Sequence, residues 1–200
     1  MSGAAGFDRH LKRLRAELAK TKPPPRDLLA NNRKAAAVLI PILERAGELR
    51  VVYIRRSDHV ESHRGQVAFP GGRVDPGDAT LLDTALREAH EEVAIPPHAV
   101  EVLGAFPVAN TLTSGIIVAP FAGVIAASTT MRPSPDEVAE IFEVPLSALR
   151  DPRFRGDYEW RRDGAAAGRG SKYPAIMYGG QTIWGLTLRI TMDLLAMLEA

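Results

Sequence analysis

Three carboxylates, Glu88, Glu91 and Glu92, fall within five residues of the stretch VAFPGGRVDPGDATLLDTALREAHEEVAI, which runs from Val67 to Ile95. On a helix at about 100° per residue, Glu88 and Glu92 lie four apart on one face and Glu91 stands beside them. Like charges at that spacing destabilise an isolated helix by roughly a few tenths of a kcal/mol. A dication among them would turn the repulsion into ligation, and carboxylate oxygens are the ligands that Mg²⁺ or Mn²⁺ prefers. A solvated acidic face is the alternative. The preceding residues, FPGGRVDPGD, bear on the choice. Gly71 and Gly72 let the backbone approach a ligand closely and adopt positive φ. Backbone N–H groups of such a turn can hold phosphate oxygens. A loop for anions followed by a helix for cations suits a metal-bridged pyrophosphate.

The helix that must carry the acids is legible. Thr80 can cap it, with Asp83 three residues on, and nothing breaks a helix from Leu81 to about Ala94. Leu82, Ala85, Leu86, Ala89 and Val93 form the stripe expected to face the core. Arg87, four before Glu91, can pair with it. Upstream, KAAAVLIPIL and LRVVYIRRS predict two strands joined by a turn at ERAGE; downstream, VEVLGAFPVA, GIIVAPFAGVIAA and VAEIFEVPL are further β-rich runs. Pro and Gly inside these runs imply bends, bulges or edges. RGDYEWRRDGAAAGRGSKYP predicts a loop with a short hairpin. The tail WGLTLRITMDLLAMLEA predicts an amphipathic helix with Leu188, Met192, Leu195 and Leu198 on its buried stripe and Trp184 at its start. Phe7, Leu11, Leu14 and Leu18 predict an N-terminal helix, which the prolines of TKPPPRD end. The alternation implies an α+β fold, a mixed sheet flanked by helices, with residues 1–30 as an appended helix and Pro-rich linker and 31–200 as the main domain.

The chain has 200 residues, enough for one domain with appendages. Its formal net charge of +1 gives no bulk field for nucleic acid or an anionic membrane. With no cysteine, disulfides, thiolate metal sites and cysteine nucleophiles are all excluded. The first residues turn charged before any apolar run develops, so no signal peptide is expected, and no apolar stretch is long enough to span a bilayer. A cytoplasmic protein is expected, and its N-terminal helix could support a homodimer.

The stretch resembles the box of the Nudix hydrolases: Gly, five residues, Glu, seven residues, then Arg-Glu-apolar-x-Glu-Glu-x-Gly-apolar. Arg87-Glu88-Ala89-His90-Glu91-Glu92-Val93-Ala94-Ile95 is similar to its second half, with Ala94 at the family's glycine. Gly72 lies one residue further from Arg87 than the general pattern, and Asp75 or Asp78 represents its first acid. The extra residue, and the wording TALREA, resemble the coenzyme A pyrophosphatase branch. So does the upstream spacing of Arg56-Ser57, Gly65 and Phe69-Pro70-Gly71-Gly72, although Val52-Tyr53-Ile54 replace Leu-Leu-Thr and Glu61 replaces an arginine. TLTSGIIVAPFAG, PDEVAEIFEVPLSAL and IWGLTLRI extend the resemblance over residues 33 to 195.

The resemblance implies a Nudix fold and a Mg²⁺- or Mn²⁺-dependent hydrolysis of a nucleoside diphosphate linked to another moiety. For coenzyme A the products are 4'-phosphopantetheine and adenosine 3',5'-bisphosphate. The changed Ile54 and Glu61 leave ADP-ribose, a dinucleotide or an oxidised nucleotide as alternatives, and a non-catalytic nucleotide-binding module as a third. Glu88 and Glu92 are expected as primary metal ligands with Glu91 beside them. The base is a box glutamate, Glu88 or Glu91, or an acid from elsewhere, for which Glu137 is the candidate with Glu140 behind it. Arg56 is expected on substrate phosphate, with Gly71 and Gly72 beside it. Arg55, Arg64 and Arg73 are weaker candidates. His63 and His90 form no metal set, His90 being a surface helix residue. Trp160 and Trp184 are expected in the core.

Overall fold

The structure, a computed structural model, describes residues 3–22, 24, 34–59, 63–111, 115–160 and 171–199. Glu61 and most of the Pro-rich segment lie outside the described residues. Strands β1 (Ala35–Arg45) and β2 (Glu48–Arg56) pair antiparallel. Ala46 and Gly47 close the hairpin with φ of 55° and 80°, the two left-handed residues that a two-residue loop matched to strand twist requires. β3 (Val67–Ala68) pairs with β2, and β4 (Gly71–Arg73) with β1. The FPGG segment is therefore a bend at Pro70 that runs into a strand, rather than a free turn. Helix α2 (Leu81–Val93) follows, then β5 (Glu101–Ala105), β6 (Ala109–Asn110), β7 (Ile117–Val124) and β8 (Val138–Pro145).

These strands form one mixed sheet. β1 and β7 run parallel from Ala35↔Ile117 to Ile42↔Val124, while β5 and β6 on β7, and β8 on β2, are antiparallel. Pro120 falls inside β7, not at an edge. It is tolerated because β6 pairs only as far as Val118 and β5 only from Phe121, and its carbonyl accepts from Phe106 N–H at 2.8 Å.

Helices cover both faces of the sheet, so β1 reads as a continuous apolar run rather than an alternating one. Ala35, Ala37 and Leu39 turn to one face and pack with Ala85 and Ala89 of α2, Ala119 and Phe121. Ile40 and Ile42 turn to the other face, against α1 (Gly3–Leu18) and α4 (Gly185–Glu199). There Leu11, Leu14 and Leu18 of α1 are buried with Leu194 and Leu198 of α4. An Arg15–Glu101 ion pair and a 2.6 Å hydrogen bond from Thr21 Oγ1 to the Ala105 carbonyl tie α1 to β5. The remaining elements are a short helix α3 (Leu146–Arg150) and a second antiparallel sheet of β9 (Arg155–Trp160), β10 (Ser171–Tyr178) and β11 (Gln181–Trp184), the expected hairpin with one more strand.

Two expectations for the tail are corrected. Trp184 ends β11, and the helix starts at Gly185. The buried stripe of α4 is Ile190, Thr191, Leu194, Leu195 and Leu198, whereas Met192 is 43% exposed. The stripe passes through a threonine that a count of apolar residues skips. Thr191 is buried because its hydroxyl meets Tyr53 OH at 3.0 Å and donates to the Thr187 carbonyl at 2.8 Å. The tryptophans are not core residues either. Trp160 and Trp184 are half-buried with Tyr158 and Tyr173 in an aromatic group on the small sheet, the ring centroids of Trp160 and Trp184 being 6.2 Å apart. No helix among the described residues is long and apolar enough to cross a membrane.

Candidate functional site

The acidic helix is held at both ends. Thr80 Oγ1 accepts from Asp83 N–H at 3.1 Å and donates to Asp83 Oδ2 at 2.9 Å, which caps its start. At its end Ala94 is left-handed, φ 57°, with Ala94 N–H on the His90 carbonyl and Ile95 N–H on the Ala89 carbonyl. This is the position where the box has glycine, and an alanine there bears a steric cost. Ala94→Gly is expected to stabilise the protein by about 1 kcal/mol, read as a rise in thermal midpoint with activity unchanged; a lower midpoint would contradict it.

The helix presents its three acids in three different settings. Glu91 is exposed, Glu88 half-buried, and Glu92 only 1% exposed. The buried face is thus Leu81, Thr84, Ala85, Ala89, Glu92 and Val93, and Leu82 and Leu86 sit at its half-buried margin. Glu92 is enclosed because segments remote in sequence cross over it. Its Oε2 accepts from Gly71 N–H at 2.9 Å, and its Oε1 lies 3.2 Å from Arg56 Nη1. Burial pushes the Glu92 carboxyl up to about 7; the Gly71 hydrogen bond and the Arg56 charge oppose this, and Glu88 and Glu137 add to it. Burial likewise raises Glu88, which Arg87 opposes and Glu91 and Glu137 reinforce.

Arg87 braces the cluster. Its Nε and Nη2 donate to the two oxygens of Asp78 at 3.0 and 3.1 Å, Nη2 also reaches the Arg73 carbonyl, and Nη1 donates to Glu88 at 3.0 Å and Glu91 at 2.9 Å. The structure chooses between the two candidate first acids. Asp78 faces Arg87 and also accepts from Asp75 N–H and Thr84 Oγ1, whereas a carboxylate oxygen of Asp75 accepts from Gly77 N–H in the loop. Burial disfavours the Asp78 carboxylate, but the Arg87, Asp75 and Thr84 hydrogen bonds outweigh it and hold this carboxyl below its usual range.

The two glycines are required by the chain itself. A Cβ at Gly72 would lie 2.4 Å from the carboxyl carbon of Glu88, and one at Gly71 2.4 Å from the Ala37 carbonyl oxygen. Gly72 thus makes the cradle in which the Glu88 carboxylate rests.

Glu137 is brought to the cluster by backbone alone. Ser134 N–H donates to the Glu92 carbonyl at 2.8 Å, Arg132 N–H to the Val93 carbonyl at 3.1 Å, and Ser57 N–H to the Glu137 carbonyl at 2.8 Å. The loop before β8 therefore hangs from the end of α2 and from β2, and the exposed Glu137 carboxylate adds its charge to both Glu88 and Glu92. Glu140 is engaged elsewhere, 3.6 Å from Arg55 and accepting from Gln181 Nε2 at 2.7 Å. Arg64 and Arg73 are exposed, His63 Nδ1 meets Gln66 at 3.0 Å, and His90 is exposed on the helix as expected. Ile54 is 0% exposed, in register with Ala68 and Ile141, and so has no path to a substrate.

Among the described residues no three acids or histidines are already drawn together as a metal cage. Arg56 and Arg87 supply the positive charge instead. The donors suit Mg²⁺ or Mn²⁺, being carboxylate oxygens throughout. Glu92, buried beside Glu88 and Glu137 in charge, is a place where a dication would relieve an unfavourable ionisation.

The metal-free protein should show this in its pH dependence. The Glu92 pKa is higher folded, about 7, than its ordinary 4.5. The folded state holds that proton more tightly, so this contribution is complete below about pH 4.5 and is lost as pH rises through about 7. On that basis, stability of resin-demetallated protein is expected to fall by about 2 kcal/mol between pH 5.5 and 8.5, read as urea midpoints across that range. A flat profile would show that Glu92 ionises without penalty.

The comparisons with known proteins agree with this geometry. Residues 33–163 match the NUDIX domain. The uncharacterized Nudix hydrolase NudL of Yersinia enterocolitica serotype O:8 / biotype 1B is 45% identical over 170 residues, 84% of this chain and 83% of that protein. NudL of Citrobacter koseri is 44% identical over 164 residues, 82% of each. A solved MutT/nudix family protein from Enterococcus faecalis shares the fold at a TM-score of 0.53 and 17% identity, over 88% of this chain and 62% of that one. The chain belongs to the Nudix family, hydrolases of nucleoside diphosphate derivatives.

Proposed function

We propose that the protein hydrolyses the pyrophosphate bond of coenzyme A or its derivatives, with water entering at one phosphorus and the P–O–P bridge breaking, to give 4'-phosphopantetheine and adenosine 3',5'-bisphosphate. The observation that carries this reading is that Arg56 and Gly71, both in the stretch resembling the coenzyme A branch, meet on Glu92 of the acidic helix. Substrate signature and acid cluster are thus one site. The burial of Ile54 adds support, because its departure from the branch pattern is then a matter of packing.

In this reading Glu88, Glu91 and Glu92 hold Mg²⁺ or Mn²⁺, which when bound neutralises diphosphate charge and makes water a better nucleophile. Arg56 lies 3.2 Å from Glu92, so a phosphate brought to that carboxylate is within reach of its guanidinium. Gly71 and Gly72 serve the site through its acids, Gly71 N–H holding Glu92 and Gly72 leaving room for the Glu88 carboxylate. Glu137, exposed beside the cluster, takes the proton of the attacking water, the alternative base being a box glutamate, Glu88 or Glu91. Asp78 and Arg87 hold Glu88 and Glu91 in place.

The division at residue 30 belongs to the same reading and is supported by a family match beginning at residue 33. A cytoplasmic location fits the chain's composition. A homodimer through α1 would use its polar side, since Leu11, Leu14 and Leu18 are already buried.

The test is product identification from coenzyme A, its acyl derivatives, ADP-ribose and dinucleotides, each with Mg²⁺ or Mn²⁺ and ¹⁸O-labelled water. The expected result is 4'-phosphopantetheine with adenosine 3',5'-bisphosphate, one product bearing the label. A clear preference for ADP-ribose or a dinucleotide would replace the substrate, and binding without cleavage of any of them would make the protein a binding module.

A further inference from the structure

A second concentration of charge, opposite in sign to the acidic helix, lies at the far end of α4. Thr187 near the start of that helix donates to the Val67 carbonyl, beside the FPGG segment. Leu198 is eleven residues on, about 17 Å along the axis. There Arg9 and Arg13 of α1, one turn apart, face Arg150 at the end of α3. With His10, Leu198 and Glu199 they line a recess of about 390 Å³.

Among the described residues lining the recess, three arginines face one acid. Arg9 and Arg13 are like charges at the i, i+4 spacing, which costs a helix stability. Arg13 Nη1 donates to the Leu198 carbonyl at 3.1 Å, a neutral partner. Arg9 has no ion-pair partner among the described residues. Glu199 is the one acid among the described residues that line the recess; its Oε1 is 3.4 Å from Arg150 Nε, yet that buried Nε makes no hydrogen bond. Burial lowers the His10 pKa, and Arg150, Arg9 and Arg13 lower it further, so its imidazole adds a polar wall rather than a fourth charge.

We propose that this recess binds a multiply charged, phosphate-type anion, its oxygens on the guanidinium groups of Arg9, Arg13 and Arg150. Planar guanidinium forks match phosphate oxygens two at a time. The volume admits a pyrophosphate-sized ligand, and Glu199, whose side chain is 63% exposed, can turn away to solvent. Such a ligand would fasten α1 to α3 and to the end of α4, apart from the acids that carry the proposed hydrolysis. Free phosphate compounds and lipid headgroups share this chemistry. A recess between helices favours the soluble kind.

The experiment uses full-length protein stripped of metal on a chelating resin, with pyrophosphate titrated at ionic strength held constant by sodium chloride. The thermal midpoint is expected to rise saturably, by about 3 °C at a tenfold excess over Kd. Arg9→Glu, at an exposed position, should weaken binding at least about tenfold while leaving turnover unchanged, and Arg150→Gln should do the same to binding. No rise beyond the salt control, or an unchanged affinity in Arg9→Glu, would overturn the proposal. So would Arg9-dependent pelleting with phosphatidylglycerol vesicles in the absence of any pyrophosphate effect.

Discussion

Glu92→Gln is expected to lower kcat/KM by at least about 10³-fold with Mg²⁺ present, roughly 4 kcal/mol of transition-state stabilisation. The amide has the shape of the carboxylate and its oxygen can still accept from Gly71 N–H, so the 1%-exposed position keeps its packing. What it loses is charge, and with it the electrostatic hold on a dication. The same variant should be more stable than the native protein at pH 8 when metal-free, because the carboxyl that burial pushes up to about 7 is no longer there to be ionised. A gain in stability alongside a loss of turnover distinguishes a functional charge from a structural one. Activity within tenfold of native would remove Glu92 from the chemistry.

Gly72→Ala is expected to cost about 10²-fold in kcat/KM, the scale of an approximately 1 Å displacement of a reacting group. The added methyl would sit 2.4 Å from the Glu88 carboxyl carbon, and the flexible side chain yields by swinging its carboxylate off the cradle. Folding should suffer less than turnover, since the obstruction is the end of a side chain. Glu88→Asp withdraws that carboxylate by one methylene. The double variant Gly72→Ala/Glu88→Asp should therefore be less impaired than the product of the two single losses. Strict multiplication of the two effects would show that Gly72 acts on something other than Glu88.

Much of this site is legible in the sequence, and the reason is local. Helix α2 runs within a residue of the expected span because Thr80 and Asp83 cap it and Arg87 pairs with Glu91 at four residues. The β1–β2 hairpin follows from two β-rich runs around Ala46-Gly47. Where local pattern misleads, a tertiary partner is the cause. Met192 carries the apolar period of the tail yet faces water, because Tyr53 receives Thr191 instead. Trp160 and Trp184 have the size of core residues but lie on a small second sheet that leaves one face partly open.

The spacing of residues by itself determined the α+β order of elements and which acids gather on one helix, since periodicity and capping act over a few residues; the family followed from the resemblance of that stretch to a known box. Only the tertiary structure decided that Glu92 is buried while Glu91 is exposed, that Asp78 rather than Asp75 braces Arg87, and that Gly72 is kept free of a side chain by Glu88. Desolvation and close contact depend on which distant strand comes to lie over a side chain. Arg56 and Gly71 reach Glu92 from 36 and 21 residues away, across the sheet that β1 and β7 hold together.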